Sequence, residues 1–90
     1  MEKQWVVYIL ECKDGTLYTG ITDDLPRRLK VHSQGKGAKY TRGRGPLILR
    51  YLGRCSDHSE ALRRELQIKA LPRQEKQKLC DSCREALPQN

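Results

Sequence analysis

The stretch Val6-Val7-Tyr8-Ile9-Leu10-Glu11-Cys12-Lys13-Asp14-Gly15-Thr16-Leu17-Tyr18-Thr19-Gly20-Ile21-Thr22 decides how this chain folds. Trp5 to Leu10 and Leu17 to Ile21 are rich in β-branched and aromatic residues, and Lys13-Asp14-Gly15 between them is turn chemistry, so the segment reads as a hairpin. A two-residue loop at Asp14-Gly15 sets Glu11 opposite Tyr18 and sends Tyr8 and Tyr18 to opposite faces. A three-residue loop sets Leu10 opposite Tyr18 and Tyr8 opposite Gly20, and both phenols then share one face. Glycine in the third loop position favours the second register, because a left-handed conformation costs it nothing. In that register Gly20 leaves a shallow dent opposite Tyr8, where a ligand or another backbone can approach.

Outward from the hairpin, Asp23-Asp24-Leu25-Pro26 is a helix start, and Leu25, Leu29 and His32 recur at helical spacing before Gly35. Gly35 to Gly45 is too rich in glycine for a regular element and carries Lys36, Lys39, Arg42 and Arg44 around Tyr40. Leu47 to Leu52 is a third strand, apolar on both faces, which implies layers on both sides of the sheet. Asp57 with Glu60 opens a second helix that runs to about Leu71, and a third follows from Pro72 to about Cys83. The order β-β-α-β-α-α indicates a small α/β sandwich, a three-stranded antiparallel sheet flanked by helices.

Ninety residues amount to one domain with a modest core. Residues 1–83 are expected to form it, with 84–90 a disordered tail. No apolar run approaches a membrane span, and the N-terminus lacks a secretory pattern, so a cytoplasmic location is expected. Four cysteines should stay reduced there. Lys and Arg outnumber Asp and Glu by 18 to 11, and a net charge of +7 favours a polyanionic partner, nucleic acid first.

Among single residues, Glu65 is the most informative. At 3.6 residues per turn, Ala61, Leu62, Leu66 and Ile68 form an apolar arc with Glu65 near its middle. A carboxylate there is either paired, with Lys69 one turn on, or a metal ligand. Arg28 borders the buried face of the first helix, where a fixed guanidinium suits a phosphate, while Arg27 beside it faces solvent. The basic glycine loop, with Tyr40, suits tracking along a nucleic-acid backbone. Cys80 and Cys83 form a lone C-x-x-C pair, short of the four ligands zinc wants unless Cys12, Cys55 or a histidine joins them.

Together these residues resemble the GIY-YIG nuclease superfamily. Val6-Val7-Tyr8 stands for Gly-Ile-Tyr, and Tyr18-Thr19-Gly20 for Tyr-Ile-Gly. The segment Thr22 to His32 looks like the family's arginine helix, with Arg28 at the catalytic position, and Ser59 to Glu65 looks like the later helix that carries the metal-binding glutamate. The match runs from about Val6 to Leu71, and the basic loop after His32 looks most like the small stand-alone bacterial members. The resemblance implies that both tyrosines line one catalytic face and that the reaction is metal-assisted phosphodiester hydrolysis. Arg28 and a Mg²⁺ (or Mn²⁺) held by Glu65 would offset charge on the phosphoryl oxygens. Tyr8 would activate the attacking water and Tyr18 would position it. A phenol with a pKa near ~10 is a poor base at neutral pH, so either Arg28 and the metal would have to favour the phenolate or a second base must help, with His32, one turn from Arg28, as that helper.

Two departures from the family pattern stand out. Ile21 replaces a lysine that some members carry after the second signature, and no asparagine between Pro72 and Cys83 supplies the residue that ends many family domains. The expected activity is a DNA endonuclease with little sequence preference, favouring branched or damaged structures of the kind met in repair or recombination. Arg27, Lys36, Lys39, Tyr40, Arg42 and Arg44 would contact the nucleic acid, and shape or a protein partner would supply specificity to a monomer. The competing readings are a non-catalytic DNA- or RNA-binding module on the same fold and, well behind, a zinc or redox protein built on Cys80 and Cys83.

Overall fold

The hairpin takes the three-residue turn. In a computed structural model that describes residues 4–33 and 47–83, the Cys12 N–H donates to the Thr16 carbonyl at 2.8 Å and the Gly15 N–H to the Cys12 carbonyl at 2.9 Å. Gly15 closes the turn at φ +85°, a conformation that only glycine adopts freely. Asp14 Oδ1 accepts from the Thr16 N–H at 3.1 Å and from its hydroxyl at 2.6 Å, which stiffens the loop. Strands β1 (Val6–Glu11) and β2 (Leu17–Thr22) therefore pair with Tyr8 opposite Gly20 and Leu10 opposite Tyr18.

The remaining elements are α1 (Leu25–Ser33), β3 (Ile48–Arg54), α2 (His58–Lys69) and α3 (Arg73–Ser82). β3 joins the free edge of β1, giving an antiparallel sheet of order β2-β1-β3. It extends past Leu52, because Gly53 and Arg54 pair with Val7 and Val6. The register shifts between Ile9, opposite Tyr51, and Leu10, opposite Leu49, so Arg50 is an extra residue in a bulge. The bulge lets Leu49 and Leu52, three apart, reach the same face. It also aims the Arg50 guanidinium at Glu11 (3.0 Å) and at Asp81 of α3 (3.2 Å).

Both faces of the sheet are covered, as its doubly apolar strands require. On one face Val6, Tyr8 and Leu10 are buried with Leu25 and Leu29 of α1. On the other, Val7 and Ile9 pack with Ala61 and Ile68 of α2 and Cys80 of α3. Asp57 caps α2 by accepting the Glu60 N–H at 2.8 Å, and the Glu60 carboxylate in turn accepts from the Ser56 N–H.

The apolar arc expected on α2 is corrected by the structure. Leu62 and Leu66 are 41% and 67% exposed, and the inner stripe is Ala61, Arg64, Glu65 and Ile68. Two long polar side chains hold inner positions because each finds a partner: Arg64 donates to the Tyr51 hydroxyl at 2.7 Å, and Glu65 pairs with Lys69. Glu65 thus sits at the margin of the buried stripe rather than at its middle.

The dent expected opposite Tyr8 is also corrected, since the Tyr8 ring itself fills it. A Cβ on Gly20 would lie 2.7 Å from the Tyr8 hydroxyl oxygen, 2.8 Å from its Cζ and 3.0 Å from Tyr18 Cε2. Gly20→Ala should therefore destabilise the fold by about 1–3 kcal/mol through overpacking. Gly15→Ala should cost about 1–2 kcal/mol through its left-handed backbone. Thermal melts should show each as a drop of roughly 4–8 °C per kcal/mol. An unchanged midpoint in either variant contradicts the corresponding contact or turn.

Candidate active site

Three side chains from three elements meet on the α1 face of the sheet. The Tyr8 phenol, completely buried at the centre of β1, lies 3.1 Å from His32 Nε2. The Tyr18 ring stands 6.4 Å from Tyr8 and 5.5 Å from His32, centroid to centroid, and Tyr8 and His32 are 6.1 Å apart. The rings form a triangle in which Tyr18 and His32 meet edge to face.

The direction of α1 determines what else reaches this triangle. Its cap is Asp24, whose carbonyl accepts the Arg28 N–H at 3.0 Å and whose Oδ1 accepts the Arg27 N–H at 3.3 Å. The Asp24 N–H donates to Thr22 Oγ1 at 3.1 Å, tying the cap to the end of β2. With the start held there, Leu25, Arg28, Leu29 and His32 fall on one stripe facing the sheet. Arg28 lies within hydrogen-bonding reach of the Tyr8 phenol and, more weakly, of Tyr18. Arg27 is exposed and, with Thr22, Asp23, Asp24, Arg28 and Val31, lines a pocket of about 280 Å³ beside the site.

Burial pushes the Tyr8 phenol above its ordinary value; the Arg28 hydrogen bond pulls it back only in part, and Tyr18 and Glu65 push it further up. Tyr8 therefore keeps its proton at pH 7. His32 moves the other way, held below the usual imidazole range by burial and then by the charge of Arg28. It is neutral at pH 7, and with its proton on Nδ1 its Nε2 accepts the Tyr8 hydroxyl. Arg28 is held in its charged form, chiefly by the Tyr8 hydrogen bond.

Glu65 borders this cluster rather than joining it. Its charge is felt at the Tyr8 phenol, and its Oε2 lies 3.3 Å from Lys69 Nζ, the pairing their i,i+4 spacing leads one to expect. Among the described residues no group of three or more His, Cys, Asp or Glu could hold a metal ion. A single carboxylate whose charge reaches the Tyr8 phenol still suits Mg²⁺, which keeps most of its waters and shares substrate phosphates. Lys36, Lys39, Tyr40, Arg42 and Arg44, and the expected tail, lie outside the described residues. Cys12, Cys55 and Cys80 are buried thiols and Cys83 a half-buried one, its Sγ 3.4 Å from the Leu52 nitrogen. Sequence reasoning did not identify the Thr22–Asp24 clamp that aims α1, although Thr-x-Asp before a helix is a recognisable turn signal. No helix of the described residues is long and apolar enough to cross a membrane.

Comparison with known proteins shows the family and the fold. The chain is 53% identical over 81 residues to a UPF0213 protein of Oceanobacillus iheyensis, covering 90% of this chain and 94% of that one. Its fold is similar to the solution structure of a UPF0213 protein from Bacillus halodurans, with a TM-score of 0.57 at 51% identity over 87% of this chain and 83% of that one. It is also similar to the solution structure of an E. faecalis protein, with a TM-score of 0.63 at 34% identity over 100% and 98% of the two chains. Residues 4–78 match the GIY-YIG catalytic domain, and the chain belongs to that family.

Proposed function

We propose that this chain is a divalent-metal-dependent endonuclease that hydrolyses DNA phosphodiester bonds, selecting by shape rather than sequence. The observation that carries the reading is the 3.1 Å Tyr8–His32 hydrogen bond beside Arg28: a buried contact across which a proton can pass, next to a fixed cation. Membership of the GIY-YIG family supports the reaction class, and the net charge of +7 supports a polyanionic substrate.

In this mechanism a phosphate docks against the Arg28 guanidinium, which offers paired donors to its oxygens. A water admitted with the substrate lies against the Tyr8 oxygen, which is out of solvent in the free protein. As the water oxygen bonds to phosphorus, the bond from phosphorus to the leaving sugar oxygen breaks; the water's proton passes to the Tyr8 oxygen while the Tyr8 proton passes to His32 Nε2, and the departing oxygen takes a proton from solvent. The phenol is thereby neutral before and after, which removes the need for a phenolate in a buried site. Tyr18 orients the phosphate or the water from the open side of the triangle. Arg28 offsets the charge that builds on the phosphoryl oxygens. A Mg²⁺ or Mn²⁺ ion bound through Glu65 would supply a second positive charge at those oxygens. Arg27, and Lys36, Lys39, Tyr40, Arg42 and Arg44 of the basic segment, would hold the flanking backbone.

Incubation with supercoiled plasmid and branched duplexes in Mg²⁺ or Mn²⁺ should give nicking that chelator abolishes. Arg28→Ala and Glu65→Ala should each lower the rate by roughly 10²–10³-fold. Equal DNA binding by all preparations with cutting by none would instead establish a DNA- or RNA-binding module.

The pH profile gives an independent prediction. His32 acts in its neutral form and its pKa is lowered, so activity is lost only as pH falls below the ordinary imidazole value of about 6.5. Tyr8 is raised, so no phenolate limb is expected below pH ~10. An acid limb centred above pH ~7, or one unmoved by His32→Gln, counts against the proton path.

A further inference from the structure

A second feature lies beside Tyr18, with a lining that does not include His32. Leu17, Tyr18 and Thr19 of β2, with Lys69 at the end of α2 and Lys76 of α3, enclose a groove of about 390 Å³. β2 is an outer strand of the sheet, so this groove lies on its rim and shares Tyr18 with the active-site triangle. The two lysines differ in their present partners. Lys69 Nζ is 3.3 Å from Glu65 Oε2, with its own side chain 51% exposed against 17% for the carboxylate. Lys76 is half-buried along the groove, and its ammonium has no ion-pair partner among the described residues.

We propose that Lys69 and Lys76 form a phosphate subsite on the flank of Tyr18, with Lys69 held on Glu65 until a divalent cation replaces it there. The inference rests on the nuclease reading above and deepens it. A carboxylate that is mostly out of solvent needs a counter-charge, and in the free protein Lys69 supplies it. A divalent ion at the same carboxylate repels the ammonium that now lies 3.3 Å from its Oε2. The flexible four-carbon stem of lysine then carries that ammonium into the groove it already lines, beside Lys76. Phosphodiester oxygens of a strand leaving the cleft across the rim are acceptors of the matching charge. Ion and substrate thus strengthen each other's binding, and such coupling is reciprocal.

The test uses Mn²⁺ binding followed by electron paramagnetic resonance, and anisotropy with a hydrolysis-resistant phosphorothioate duplex, with and without Mn²⁺. The proteins are the wild type, Lys69→Gln, Lys76→Gln and Glu65→Gln. Lys69→Gln is expected to bind Mn²⁺ roughly fivefold more tightly, because a competing charge is gone. Lys76→Gln removes the same charge from the same groove without touching Glu65 and should leave Mn²⁺ affinity unchanged. Both lysine variants should bind the duplex more weakly, each lowering the log–log salt slope by about 0.9. The gain in duplex affinity on adding Mn²⁺ should shrink in Lys69→Gln. Glu65-dependent Mn²⁺ binding that is the same in wild type and Lys69→Gln, or duplex affinity indifferent to both lysines, overturns this inference and leaves the nuclease reading standing. Mn²⁺ binding that is absent in the wild type, or unaffected by Glu65→Gln, removes the metal site of that reading and this inference with it.

Discussion

The site depends on where one phenol is allowed to go. Tyr8 stands at the centre of the middle strand, buried under α1, and its ring tip occupies the space that a side chain at position 20 would fill. That close approach sets the ring's direction and aims its hydroxyl at His32. It exists only because the Lys13-Asp14-Gly15 turn holds the register that puts Gly20 opposite Tyr8; a one-residue slip would turn Tyr18 and Gly20 to the other face. Turn, glycine and tyrosine form one geometric unit, and α1, clamped by Thr22 and Asp24, adds the guanidinium and the imidazole to it.

The same burial that fixes the ring also determines its chemistry. Desolvation outweighs the pull of Arg28, so the phenol keeps its proton, while burial and then Arg28 keep the His32 ring neutral. Acid and acceptor are thus poised in one hydrogen bond whose proton has somewhere to go. A solvent-exposed tyrosine beside the same arginine would not have this asymmetry.

Much of this was legible in the chain because it follows from local rules. Gly15 in the third loop position selects the hairpin register, and the doubly apolar β1 demands layers on both sides. Asp57 and Glu60 mark the start of α2 without reference to anything distant. The inner face of α2 was not legible, because Arg64 is stabilised there by the Tyr51 hydroxyl, thirteen residues earlier, and a helical wheel cannot contain that partner. For the same reason Leu62 and Leu66, which periodicity places inside, are exposed. The protonation of Tyr8 was also out of reach, since it depends on weighing burial against a guanidinium, and the extension of β3 to Arg54 follows only from its pairing with Val6.

The most direct measurement is the ionisation and tautomer of His32, read by long-range ¹H–¹⁵N correlation on imidazole-labelled protein across pH 4–9. The account predicts a neutral ring with its proton on Nδ1 at pH 7, titrating below about 6.5, and loss of the Nε2 acceptor signature in Tyr8→Phe. A ring that is charged at pH 7, or that carries its neutral proton on Nε2, would contradict it.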